Sequence, residues 1–186
     1  FDAANKMRGS IAPSDYKHHV LPLIFLRYLS NKFEQRQVEI ESMTKDPNSD
    51  WDAPDQEMYE IISEDRDLYR AENVYFVPQD SRWSYIVKNA KQPNIKEILD
   101  IAMKRLEEEN PELDGILPRI YQSSNLPAEN VSGLIEIFSR DVFSAKDERS
   151  VDVLGRTYEY FISSFASSEG NRGGEFFTPS SLVQLL

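Results

Sequence analysis

Ser14-Asp15-Tyr16-Lys17-His18-His19-Val20-Leu21-Pro22-Leu23-Ile24-Phe25-Leu26-Arg27-Tyr28-Leu29 is the run that decides the fold. Ser14 suits a helix N-cap, and the spacing predicts a long helix from about Asp15 to about Met43. Between Val20 and Leu29 the run is apolar almost all round, the mark of a helix buried on several sides. Pro22 either kinks this helix early or sits close to its true start. His18 and His19 are adjacent, point in different directions on a helix, and so form no paired metal site by themselves.

Outward from this run, Lys45 to Asp50 reads as a loop of turn residues. Pro54 to Arg70 reads as a charged surface helix with one buried stripe of Met58, Ile61, Ile62, Leu68 and Tyr69. Glu72-Asn73-Val74-Tyr75-Phe76-Val77-Pro78 is an extended segment, rich in β-branched and aromatic residues and closed by proline. Trp83, beside Arg82, reads as an anchor of a short strand on the helices, with base stacking as the other use of such a pair. The clearest helix opens at Pro93-Asn94, where Asn94 and Glu97 have the form of a capping box. Ile95, Ile98, Leu99, Ala102, Met103 and Leu106 then fall on a single face. Glu107-Glu108-Glu109 reads as solvated charge rather than acid–base machinery, because nothing apolar surrounds it in sequence to raise a pKa.

Gly115 to Pro118 and Asn125 to Pro127 are connectors. Glu129 to Phe143 is an amphipathic helix with Val131, Leu134, Phe138 and Val142 inward. Ser150 caps a further helix, carrying Val151, Leu154, Tyr158, Phe161 and Phe165 on one side. Within it Gly155 costs about 1 kcal/mol relative to alanine, which points to close approach of a neighbouring helix. Ser167 to Gly174 is the most linker-like run, and a domain boundary is placed there.

The chain of 186 residues has a net charge of −11 and no cysteine. Absent cysteines exclude disulfides, thiolate zinc sites and cysteine nucleophiles, and they fit a reducing compartment. No charged n-region with an apolar run opens the chain, and no apolar stretch approaches the ~20 residues of a membrane span, so a soluble, cytoplasmic protein is expected. The acidic balance argues against a surface devoted wholly to nucleic acid. Charge is uneven, however. Residues 1–36 carry Lys6, Arg8, Lys17, Arg27, Lys32 and Arg36 against Asp2, Asp15 and Glu34. That leaves room for a local basic face on an acidic body, although solvated charge on helix surfaces is the favoured reading.

Near the end stands Gly173-Gly174-Glu175-Phe176-Phe177-Thr178-Pro179. Two glycines free the backbone, Thr178 suits an N-cap, and Pro179 suits the first helical position. By itself this is a loop-to-helix junction whose N–H groups suit an anionic ligand group. The chain closes on Leu185-Leu186 inside an apolar pattern, which reads as part of something longer.

Together these segments resemble the modification (M) subunit of type I restriction–modification systems, an adenine-specific DNA methyltransferase. The resemblance runs through Phe1 to Gly9, Ser14 to Leu29, Ala90-Lys91-Gln92-Pro93, Asp152 to Phe161, and Gly173 to Pro179. In the last of these, Phe177 replaces the family's tyrosine, and any hydrogen bond from that hydroxyl is lost.

The resemblance implies a mainly α fold: an N-terminal helical, bundle-like domain with one short extended segment. It would end at the threshold of a doubly wound α/β methyltransferase domain that is not itself present. The expected division is a helical assembly domain over 1–166, a linker over 167–174, and the start of the S-adenosylmethionine-dependent domain over 175–186. Cofactor contact is carried over to Glu175, Phe176, Phe177, Thr178, Pro179 and Ser180. A helix N-terminus there would offer N–H groups to the methionyl carboxylate, and a ring would lie against adenine.

The family's glycine-rich Asp-Pro-x-x-Gly-x-Gly loop and its Asn-Pro-Pro-aromatic motif for the flipped adenine are absent from these residues. The piece is therefore expected to be inactive alone, with no catalytic and no metal-binding residue. S-adenosyl-L-methionine belongs to the parent enzyme and is not expected on this piece. Lys6, Arg8 and Lys17 are the residues expected to face DNA. The implied partners are DNA, the specificity subunit and a second modification subunit, with the restriction subunit as a further candidate and no membrane. The competing reading is a free-standing helical interaction module without enzymatic activity.

Overall fold

The computed structural model describes residues 13–140 and the pair 155–156, with the backbone alone for 13–17. Of the helix expected to open at Ser150 only Gly155 and Arg156 are described, and both are helical; expectations for Val142, for the linker 167–174 and for Gly173 to Pro179 lie outside the described residues. Six α-helices are described: α1 Pro13–Thr44, α2 Gln56–Ser63, α3 Arg66–Arg70, α4 Trp83–Asn89, α5 Ile95–Glu109 and α6 Ala128–Phe138. Short 3-10 turns occupy Gln79–Ser81 and Pro111–Leu113. Among the described residues there is no β-strand.

α1 has 32 residues, about 48 Å at 1.5 Å per residue. It passes through Pro22 without ending, although the ring has no N–H to give the His18 carbonyl. Val20, Leu23, Ile24, Leu26, Leu29 and Phe33 are each at most 2 % exposed, so no side of this stretch faces water. The surrounding helices explain why: α2, α3, α4 and α6 all lie against α1. α5 closes the body by contacting α4, α6 and both 3-10 turns. All six of its periodic apolar residues are buried.

The expected Pro54 to Arg70 helix is two helices. Asp55 caps α2 by accepting from the Met58 N–H at 2.9 Å. Asp65 then caps α3 by accepting from the Asp67 N–H at 3.0 Å. α2 turns Ile62 and Ser63 inward, which leaves Met58 and Ile61 facing out, so the expected stripe is only half right.

The capping box at Asn94 does not form. Asn94 is the residue before α5, but its φ of −95° and ψ of 21° are not the extended geometry from which a cap side chain reaches the first turn.

The Glu72 to Pro78 segment forms no strand ladder, and a side chain stands in for the missing neighbour. Asn110 Oδ1 accepts from the Phe76 N–H at 3.0 Å, and its Nδ2 donates to the Phe76 carbonyl at 2.9 Å and to the Leu106 carbonyl at 2.8 Å. This lets Phe76 enter an aromatic cluster. Phe33 stacks on Tyr69 at 4.5 Å, and Phe76 meets both edge-on at 5.5 Å.

Trp83 is buried at the start of α4, on a helix rather than a strand. Its backbone N–H donates to Ser30 Oγ at 3.0 Å and its indole N–H to Ser139 Oγ at 3.0 Å, tying α4 to α1 and to the end of α6. Base stacking is thereby ruled out for this ring.

Replacing Asn110 by alanine strands the buried N–H and carbonyl of Phe76. The expected cost is about 3 kcal/mol, from two unsatisfied backbone groups. Urea unfolding of the variant reads it, and a loss under about 0.5 kcal/mol would contradict the role given to this amide.

Candidate functional site

Every residue expected to touch cofactor, Glu175 to Ser180, lies outside the described residues, as do Lys6 and Arg8. Lys17 lies on α1, in the stretch described by its backbone alone. The structure therefore brings none of these side chains together. What it does show is how the polar groups of the helical body are used.

Two of the six cations counted in residues 1–36 turn inward. Arg27 is 5 % exposed, with its guanidinium 5.3 Å from the Trp83 ring centroid and 3.9 Å from Glu34. Desolvation pulls Arg27 below its ordinary value and Glu34 opposes that. Burial pushes the Glu34 carboxyl up, against the pull of Arg27 and Arg82. Arg36 donates from Nε to the Leu68 carbonyl at 3.1 Å and pairs with Glu39. A basic face on this segment would have to rely on the other four.

Arg82 continues the same charge chain. Its guanidinium lies 4.7 Å from the Phe33 ring centroid, donates from Nη2 to both oxygens of Glu64 and from Nε to the Val77 carbonyl. α1, the α2–α3 junction and the start of α4 are thus clamped by alternating charges. Each cation here is matched by a carboxylate or a carbonyl, as partly buried charge requires.

The glutamates ending α5 are not uniformly solvated, as their sequence neighbours suggested. Glu107 is buried: Oε1 accepts from the Leu117 N–H at 2.9 Å, and Oε2 lies 3.1 Å from Arg119 Nη2. Glu109 takes a two-pronged bond from Arg66 at 2.6 and 2.8 Å. Only Glu108 is left exposed. One turn pair earlier, Asp100 accepts from the Tyr121 and Gln122 N–H groups at 3.0 and 2.9 Å. Asp100 and Glu107 are seven apart and share a side of α5, which fastens the irregular 111–127 connector. Tyr121 itself is fully buried and donates to the His19 carbonyl at 2.6 Å. Burial pushes its phenol well up, and Asp100 adds to this.

Asp100 and Glu107 thus hold backbone, and Glu109 holds the Arg66 side chain. Among the described residues no group of three or more His, Asp or Glu could hold a metal ion, and no helix is long and apolar enough to cross a membrane. Charge is unevenly distributed along the sequence of this body. Between Glu39 and Asp80 thirteen acids face three bases. Between Ser81 and Arg105 six bases face two acids.

Comparison with known proteins gives two family matches. The HsdM N-terminal domain matches residues 1–138. The N-6 DNA Methylase family matches residues 149–186. The chain is 44 % identical over 184 residues to the type I restriction enzyme MjaIX methylase subunit of Methanocaldococcus jannaschii, covering 98 % of this chain and 33 % of that protein. It is 32 % identical over 129 residues to the HindI methylase subunit of Haemophilus influenzae, covering 59 % of this chain and 29 % of that one. With the MpnII methylase subunit of Mycoplasma pneumoniae it shares 25 % over an aligned 215 positions, spanning all of this chain and 37 % of that one. The chain thus spans about a third of the length of the curated relatives it matches.

The Arg66 bond holds the Glu109 carboxyl below its ordinary value. A depressed carboxyl adds stability that is present above the unfolded value and is lost as pH falls through the folded one. Unfolding measured at pH 7 and again below the usual glutamate range should show Glu109→Gln less stable than the parent at pH 7, with the gap closing in acid. A gap that is constant with pH would contradict this.

Proposed function

The chain belongs to the HsdM N-terminal domain family, that of type I restriction–modification methylase subunits, and on that premise we propose that it is the helical assembly region of an adenine-specific DNA methyltransferase. The family is an N6 DNA methyltransferase family, and S-adenosyl-L-methionine supplies the methyl group in such enzymes. In the parent protein the methyl group passes to adenine N6 at a DNA site selected by a separate specificity subunit. The helical region holds that assembly together with a second modification subunit and closes around DNA. A free-standing interaction module is disfavoured by the family matches along the chain.

One observation carries the scaffold part of this reading. Asp100, Glu107 and Asn110, on α5 and at its end, fasten the backbone of the body itself. A body built this way holds its shape and transmits position. The cofactor wall is assigned to Glu175, Phe176, Phe177, Thr178, Pro179 and Ser180, after the 167–174 linker. DNA contact is assigned to Lys6, Arg8 and Lys17, which precede or open α1.

Charge reversal of Lys6, Arg8 and Lys17 in the assembled methylase tests the DNA assignment. The expected result is weaker binding, with the slope of log affinity against log salt reduced by about 3, roughly 0.9 for each lost phosphate contact. An unchanged slope removes these three residues from the interface. Calorimetry of S-adenosylmethionine against this chain tests the boundary drawn at 167–174. No measurable heat of binding is expected, because the glycine-rich loop that completes such a pocket is missing from its sequence. Tight binding would show that this boundary is wrong.

A further inference from the structure

α2 turns Ile62 and Ser63 toward the core, so its opposite face looks into solvent. Residues three and four apart share a side of a helix, which gathers Glu57, Glu60 and Ile61 on that face with Met58 on its flank. Ile61 is 63 % exposed and Met58 is 43 % exposed. Four of the seven large apolar side chains exposed among the described residues, Val38, Trp51, Met58 and Ile61, fall in this part of the chain. The same part is the acidic one.

Nothing nearby in sequence neutralises the face. α2 carries no Lys or Arg. The three bases between Glu39 and Asp80 are each engaged: Lys45 with Glu41, Arg66 with Glu109, and Arg70 with Asp67. Glu57 and Glu60 therefore frame an exposed branched apolar side chain within a strongly negative surround.

We infer that the outer face of α2 docks a basic amphipathic segment of a partner protein, its Lys or Arg side chains meeting Glu57 and Glu60 while an apolar side chain covers Ile61 and Met58. A phosphate backbone is repelled by the same carboxylates, so DNA is not the occupant. The surface is argued from this chain's own charges and burial, and it stands or falls apart from the methylase reading.

The test uses the whole chain and a labelled helical peptide of lysine and leucine, about four turns long with one apolar face, read by fluorescence anisotropy at about 0.15 M salt. The intact chain should bind. Glu57→Lys with Glu60→Lys should weaken binding at least about tenfold, and Ile61→Ser or Met58→Ser about fivefold. Glu112→Lys with Glu129→Lys changes net charge equally at exposed sites elsewhere and should leave binding unchanged. Circular-dichroism melts select variants that keep the parental fold.

Three results overturn the inference: no binding by the intact chain, equal weakening by the control pair, or indifference to both apolar variants. Self-association of the chain that Ile61→Ser abolishes also overturns it, in favour of a second copy as the occupant.

Discussion

A helix that is apolar almost all round cannot face water, and α1 between Val20 and Leu29 is such a helix. At roughly 25 cal/mol for each Å² of apolar surface buried, this stretch is worth more to folding than any ion pair on the surface. The rest of the body follows from covering it. α2 and α3 lie along its second half, and α4 and α6 take other sides. Arg27 is the one strong base in the middle of the run, and covering the helix drags it inside. Its place over Trp83, with Glu34 nearby, is the consequence.

The second constraint is that two long stretches, 71–82 and 110–127, lack regular helices apart from single 3-10 turns. Backbone groups there still need partners when buried. Polar side chains supply them: Asn110 for Phe76, Glu107 for Leu117, Asp100 for Tyr121 and Gln122. Ser81 Oγ adds a bond to the Ala102 carbonyl, and Ser132 Oγ reaches the Ala90 carbonyl. Residue types that elsewhere do chemistry are here committed to shape.

Helix positions were legible in the sequence where a local pattern decided them. α5 shows its whole buried face in the spacing of Ile95 to Leu106, and α1 was readable to within about two residues at each end. What escaped was decided by contacts distant in sequence. Nothing around Glu107 or Glu109 announces Leu117, Arg119 or Arg66, and nothing around Phe76 announces Asn110. Met58 and Ile61 sit at helical spacing from Ile62 and Leu68, but Asp65 starts a new helix and breaks the stripe. Arg27 and Arg36 count as basic charge in the sequence, while the fold takes both inward. The candidate cofactor and DNA residues are a different case. They rest on motif resemblance and on charge, and all but Lys17, whose backbone opens α1, lie outside the described residues.

Hydrogen exchange on the intact chain, followed by mass spectrometry, tests directly whether α1 is the element on which everything else rests. The amides of residues 23–33 should exchange only through global unfolding, together with those of α5 and α6, while α2 opens at a lower free energy. Exchange of 23–33 well ahead of α5 would place the stable core elsewhere and contradict the account.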